Sequence, residues 1–171
     1  MPMLDAYIPH GALSPDAERE LLGRLTDLLL EHEGVDPTNK IARTLAWVSI
    51  HRPEIYVAGA PAPAPYYRFI CQVPEGQYND ERRAAVNAGM MTAVIDAEGG
   101  AWPHPERRVC IFTLEVKDGT WGGAGRVLRL PDIYEFILGV EGREAAEQVL
   151  ATRRRQETEL LLATGGERAI T

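Results

Sequence analysis

Pro2-Met3-Leu4-Asp5-Ala6-Tyr7-Ile8 is the stretch that decides how the rest of the chain is read. Residues 3–8 read as a strand, which Pro9-His10-Gly11 then breaks. Proline has no N–H to give a sheet ladder, but at the first position of a strand it costs nothing. At position 2 it offers more. An initiator methionine is normally removed when the next residue is this compact, and removal would leave Pro2 with a free secondary amine. Such an amine is a base and a nucleophile, held rigid by its own ring. An α-amino group titrates near ~7.7–8.0, and burial among apolar groups lowers the pKa of a cation. A buried Pro2 is therefore suited to general-base work at neutral pH. The plainer alternative is that Pro2 only opens the strand.

With 171 residues, 45% of them hydrophobic and 25% charged, the chain is long enough for one domain with a real core. Its net charge of −7 argues against a nucleic-acid partner, which needs a basic surface. It argues weakly against anionic membranes as well, and no apolar run approaches the ~20 residues of a membrane span. The N-terminus lacks the basic region and apolar core of a signal peptide. Cys71 and Cys110 are isolated, in strand-like apolar runs, and read as buried thiols of a cytoplasmic protein. His10, His32, His51 and His104 show no metal-ligand spacing, so no metal site is expected.

The first strand is followed by a helix entry at Ser14-Pro15-Asp16. Serine caps, proline fits the first helical position, and Asp16 and Glu18 complement the positive helix end. Leu21, Leu22, Leu25, Leu28 and Leu29 make one apolar stripe, and Gly34 is placed to stop the helix in a left-handed conformation. After a turn at Asp36–Asn39, Leu45–Ile50 reads as a second strand. Sliding the chain by 65 residues repeats this plan without a gap. Pro9 falls on Pro74, Gly11 on Gly76, Ser14 on Asn79, Glu33-Gly34 on Glu98-Gly99, Arg43 on Arg108 and Tyr56 on Trp121. The second copy is a strand at Tyr67–Val73, a helix from Asp80 to about Ala97 and a strand at Val109–Val116.

The expected organisation is a single domain over residues 1–171. Repeat 1 spans 2–60, a proline-rich extended linker 61–65, repeat 2 66–131, and a C-terminal helical extension 132–171. A short strand–helix–strand unit gives two parallel strands with the helix on one face. Two copies predict an α/β (α+β) fold: a four-stranded sheet with two helices on one side. Leu45–Ile50 and Val109–Leu114 are apolar on both faces, so the bare side of the sheet predicts cover by other subunits. The cluster Gly119–Gly125 reads as a hairpin or tight turn, because it lacks the lysine of a phosphate loop and no strong helix follows it. Asp132–Phe136 is short and amphipathic, residues 143–163 read as a charged helix with Arg153–Arg155 on a solvated face, and residues 164–171 read as loose.

Together these features resemble the tautomerase superfamily, which includes 4-oxalocrotonate tautomerase and macrophage migration inhibitory factor. The residues that carry the resemblance are the Met1-Pro2 start, Leu13-Ser14-Pro15, Leu25-Thr26-Asp27, the duplicated unit and Trp121-Gly122-Gly123-Ala124-Gly125. It covers roughly residues 2–131. It implies a β-α-β-β-α-β chain assembled as a homotrimer, with Pro2 as catalytic base at a subunit interface. The small-molecule substrate would be of the enol or keto-acid class, and no cofactor is used. The family's carboxylate-binding arginines have no counterparts here: Ala12, Gln77, Leu45 or Ala46, and Cys110 stand near those positions.

Trp121 carries over as an aromatic wall of the pocket, with Tyr56 as its counterpart in the first copy; core aromatics are the alternative. Arg43 and Arg108 enter equivalent strands, and a guanidinium fork there suits a carboxylate. The alternative is a pair of surface arginines at strand ends. Arg52, Arg68 and Arg126 are weaker candidates. The expected activity is tautomerase-like isomerisation by a neutral Pro2. A protonated or imine-forming Pro2, serving hydration, dehalogenation or decarboxylation, is the second reading. A non-catalytic trimeric small-molecule binding protein is the third.

Overall fold

The computed structural model describes residues 2–167, with side chains through residue 163. The chain divides into two compact units, Met1–Val73 with Tyr78–Val116, and Pro74–Gln77 with Lys117–Thr171.

The first unit contains the expected tandem repeat. Strand β1 (Met3–Tyr7) leads to α1 (Pro15–His32), a short α2 (Lys40–Leu45) and β2 (Trp47–His51). A small hairpin, β3 (Tyr56–Val57) and β4 (Ala60–Pro61), precedes β5 (Tyr67–Pro74), α3 (Asp80–Glu98) and β6 (Val109–Val116). The sheet runs in the order β2-β1-β5-β6. β1 is parallel to β2, with Met3 opposite Trp47, and antiparallel to β5, with Met3 opposite Gln72 and Tyr7 opposite Arg68.

Both helices start where the side chains can satisfy free backbone N–H groups. Ser14 Oγ accepts from Ala17 N at 3.2 Å, and Asn79 Oδ1 accepts from Arg82 N at 2.8 Å. Both stop at a glycine in the left-handed region, Gly34 at φ +76° and Gly99 at φ +57°. Leu21, Leu25 and Leu29 of α1 and Val86, Met90 and Val94 of α3 pack on Leu4, Ala6, Phe69, Cys71 and Val73 of the sheet. The opposite face is open: Trp47, Phe112 and Leu114 lie exposed on it.

Three local expectations change. The second strand begins at Trp47, because Asn39 caps α2 by accepting from Ile41 N at 2.9 Å and Ala42 N at 3.1 Å. The asparagine that reads as a turn residue is a helix start. Cys71 is fully buried as expected, and burial pushes its thiol up to about 12. Cys110 is exposed, because it lies on the open sheet face.

In the second unit, β7 (Trp121–Gly123) and β8 (Arg126–Leu128) form the hairpin anticipated from the glycines. Ala124 and Gly125 turn it with φ of +52° and +72°. α4 (Leu130–Leu138) and α5 (Val140–Glu167) follow. Leu130, Ile133, Ile137, Ala146 and Leu150 supply the buried apolar side chains of this unit. Tyr134 donates its hydroxyl to Gln77 Oε1 at 2.8 Å. The stretch expected to be loose is helical through Glu167, and residues 168–171 lie outside the described part. Among the described residues, no helix is long and apolar enough to cross a membrane.

Candidate active site at the Pro2 end of the sheet

Strand alternation puts Pro2 on the same side of the sheet as Leu4, Ala6 and Ile8, beneath the helices. Pro2 is buried, and its carbonyl accepts Trp47 N–H at 3.2 Å, which fixes it at the head of a central strand. Three elements bring polar groups to this end of the layer. α1 runs back along β1, so its last residues return to where β1 begins. β5 runs the opposite way, so the start of α3 arrives at the same place.

At the end of α1 sits Glu33, only 2% exposed. Burial pushes its carboxyl above the usual range, and the positive amino terminus of the chain draws it partly back down. Tyr78, 3% exposed, lies just before α3. Its hydroxyl has no hydrogen-bond partner among the described residues. Its phenol is pushed well up by burial first, then by Cys71 and Glu33, so Glu33 lies within electrostatic reach of it. Tyr78 N donates to Glu115 Oε1 at 2.8 Å, and the Arg83 guanidinium carbon sits 5.2 Å from the centre of the Tyr78 ring. Arg83 is itself spent on Thr113 O, on Thr113 Oγ1 at 3.2 Å and on Glu115 Oε2 at 3.5 Å.

The repeat supplies an internal comparison. The residue 65 positions after Pro2 is Tyr67, and the one 65 after Glu33 is Glu98. Tyr67 and Glu98 interact, the carboxylate raising the phenol after burial has done so first.

The four other residues expected at the site are spread out. Arg43 reaches the Pro2 end but pairs with Asp27, and it also donates to Pro37 O at 3.0 Å. Arg108 is at the other end of the sheet, where its carbonyl accepts from Tyr67 N at 2.7 Å. That is about 20 Å from Pro2 at ~3.4 Å per strand residue. It is buried, with a two-pronged contact to Glu98 at 2.6 Å on each side and further bonds to Pro65 O at 2.8 Å and Pro103 O at 2.9 Å. Tyr56 is exposed on the β3–β4 hairpin. Trp121 is half-buried in the β7–β8 hairpin of the second unit.

Glu33 and Tyr78 were not singled out from the sequence. The available signal was Glu33-Gly34 falling on Glu98-Gly99, a glutamate kept at the helix stop in both copies. A second cluster also went unread. On the open face, His51 stacks on Tyr7 with centroids 4.3 Å apart, its Nε2 lies 2.7 Å from Asp5 Oδ1, and Arg68 sits 3.9 Å over the Tyr7 ring. A cavity of about 420 Å³ opens beside it, bounded by Tyr7, Tyr66, Arg68 and Arg107.

Comparison of this architecture with solved structures returns one fold throughout. A member of the cis-3-chloroacrylic acid dehalogenase family superposes with a TM-score of 0.62 at 14% identity, over 85% of this chain and 99% of that one. A fused 4-OT symmetric trimer gives 0.58 at 19% identity, over 74% and 94%. A protein inactivated by 2-oxo-3-pentynoate gives 0.59 at 22% identity, over 73% and 94%.

This is the fold of fused 4-OT and of a macrophage migration inhibitory factor.

No protein-family model matches the sequence, and no curated protein matches it. Within that fold the present chain holds both β-α-β units in one polypeptide.

Proposed function

We propose that this chain is a cofactor-independent isomerase in which the Pro2 amine, freed by loss of Met1, acts as general base in keto–enol proton transfer on a small carbonyl compound. The observation that carries this reading is the burial of Pro2 at the head of β1, with Glu33 and Tyr78 brought to the same end of the layer. A dry surrounding keeps the amine uncharged at neutral pH. The ring nitrogen takes a proton from an enol hydroxyl or an α-carbon and returns it at the neighbouring position. A hydroxyl donor nearby stabilises the developing enolate oxygen.

The proposed assembly is a homotrimer. The exposed Trp47, Phe112 and Leu114 on the open sheet face give it an apolar contact surface, and one structural neighbour is a symmetric trimer. Residues such as Tyr56, Trp121 and the Arg68–Arg107 cavity would then be available to a Pro2 of another subunit. The proposed location is the cytoplasm.

The test is ketonisation of the enol of phenylpyruvate by protein whose intact mass shows Met1 removed. Pro2→Ala is expected to lose at least about a hundredfold in kcat/KM, in line with the usual worth of a general base. Equal rates in variant and wild type end the proposal. The structural neighbour from the dehalogenase family, together with the buried Glu33 carboxyl at the same end of the layer, favours a second reading in which Pro2 works protonated. The pH profile separates them: a base loses activity as Pro2 protonates, an acid gains it.

A further inference from the structure

We infer that the cavity of about 420 Å³ at the Tyr67 end of the first unit is a second ligand site, which holds a planar aromatic carboxylate reversibly. Its place in the repeat is the first pointer. The register of 65 sets Tyr67 where the first copy has Pro2, so the second copy repeats the head of the strand with a residue that has no free amine. Within one chain the cavity lies at the opposite end of the sheet from Pro2, because β5 runs against β1. The second copy thus keeps a hollow at this position and has no proline amine to use in it.

The walls are fixed before any ligand arrives. Neighbouring strands align three side chains in a row on the open face, with His51 opposite Tyr7 and Tyr7 opposite Arg68. His51 stacks on the Tyr7 ring with centroids 4.3 Å apart and is itself held by Asp5 at 2.7 Å. The Arg68 guanidinium carbon lies 3.9 Å from the centre of the same ring. The segment that carries Pro53 and Ile55 is tied down by Arg52, which donates to Glu18 Oε2 at 2.6 Å and Oε1 at 2.7 Å. Arg108 does the same beside Tyr66, donating to Pro65 O at 2.8 Å while it grips Glu98. A pre-formed hollow loses little freedom on binding, and its volume lies in the range of small-molecule sites, about 300–1,000 Å³.

The lining selects the ligand. Pro53, Ile55 and Tyr66 offer apolar and aromatic surface to a flat ring. The charge comes from Arg68 and Arg107, since Arg108 is committed to Glu98. Arg68 has no carboxylate partner among the described residues. Arg107 has Glu106 at 3.8 Å, with both side chains well exposed. The other acids nearby are engaged, Asp5 with His51 and Glu98 with Arg108. A guanidinium stacked on an aromatic face still presents its edge N–H groups, which suit the two oxygens of a carboxylate. A cationic ligand meets two arginines of its own sign.

The probe is 2-naphthoate, with 2-naphthamide as its uncharged match, and binding to the full chain is read by isothermal titration calorimetry. Wild type is expected to bind one 2-naphthoate per chain, about tenfold or more tighter than the amide. Arg68→Gln should weaken the acid by about tenfold and bring it level with the amide. Arg107→Gln, at an exposed side chain shared with Glu106, should weaken it only a few-fold. Pro2→Ala is expected to bind both probes as wild type does. No saturable binding by wild type, equal affinity for acid and amide, or an unchanged affinity in Arg68→Gln overturns the inference. Loss of the acid in Pro2→Ala also overturns it, by placing the probe at Pro2. Each of these failures leaves the proposed role of Pro2 standing, because that role is judged by enol turnover. The wild-type preference is decisive by itself, so a variant that fails to fold does not protect the inference.

Discussion

The two copies of the repeat hold the same two residues and use them differently. Arg108 and Glu98 close on each other in the second copy, with both side chains almost completely out of water. In the first copy Arg43 turns to Asp27, with both partners nearly half exposed, and Glu33 stays buried at the end of α1. The cause is one position on the helix. Asp27 falls on Thr92 in the second copy, and Thr92 spends its hydroxyl on Ala88 O at 3.0 Å, so nothing there competes for the arginine. One glutamate fastens the loop that precedes β6, and its twin is a buried polar group at the Pro2 end of the sheet. A duplicated frame thus keeps its architecture in both halves while the same residue type is paired in one and not fastened to the matching arginine in the other.

Breaking the closed pair gives the largest effect. Arg108→Met leaves Glu98 buried without its cation and is expected to cost about 3–5 kcal/mol in urea unfolding, whereas the double change Arg108→Met/Glu98→Met should recover most of it. Glu33→Gln should act with the opposite sign and depend on pH. The folded-state pKa of Glu33 is raised, so its contribution to stability is fully present below the unfolded carboxylate pKa and is lost as pH rises through the folded value. Thermal unfolding should therefore find Glu33→Gln close to wild type near pH 4 and more stable than wild type at pH 8. The smallest effect belongs to Arg43→Met. Its pair with Asp27 is well exposed, and the loss should be at most about 1 kcal/mol, further reduced by salt. A cost at Arg43 equal to that at Arg108 would erase the contrast.

Much of the frame could be read in the sequence because it is written in periodic and terminal signals. Ser14, Asn79, Gly34 and Gly99 mark helix ends by local chemistry, and the register of 65 aligns them. The hairpin at Gly122–Gly125 is legible for the same reason: the turn needs positive φ. The short α2 was not legible, since an asparagine after proline serves a turn and a helix cap equally well. The polar partners were harder still. Whether Arg43 faces Asp27, or Arg108 faces Glu98, depends on side chains from separate turns of the fold, and no spacing rule encodes it. Glu33 and Tyr78 escaped notice because a buried polar residue carries no mark of its burial in composition or period. Pro2 was found by its place at the start, which is a chemical fact before it is a structural one.

The seat of Pro2 has a practical corollary for anyone handling this polypeptide. Its carbonyl is pinned by Trp47 and its ring is enclosed, so an affinity tag, a cleavage scar of a single glycine or an acetyl cap at the front would turn the nitrogen into an amide. With Pro2 as the proposed base, such a preparation is expected to register as inert. Purification handles belong beyond α5, and an assay that scores this fold as dead is only as good as the mass spectrum of its first residue.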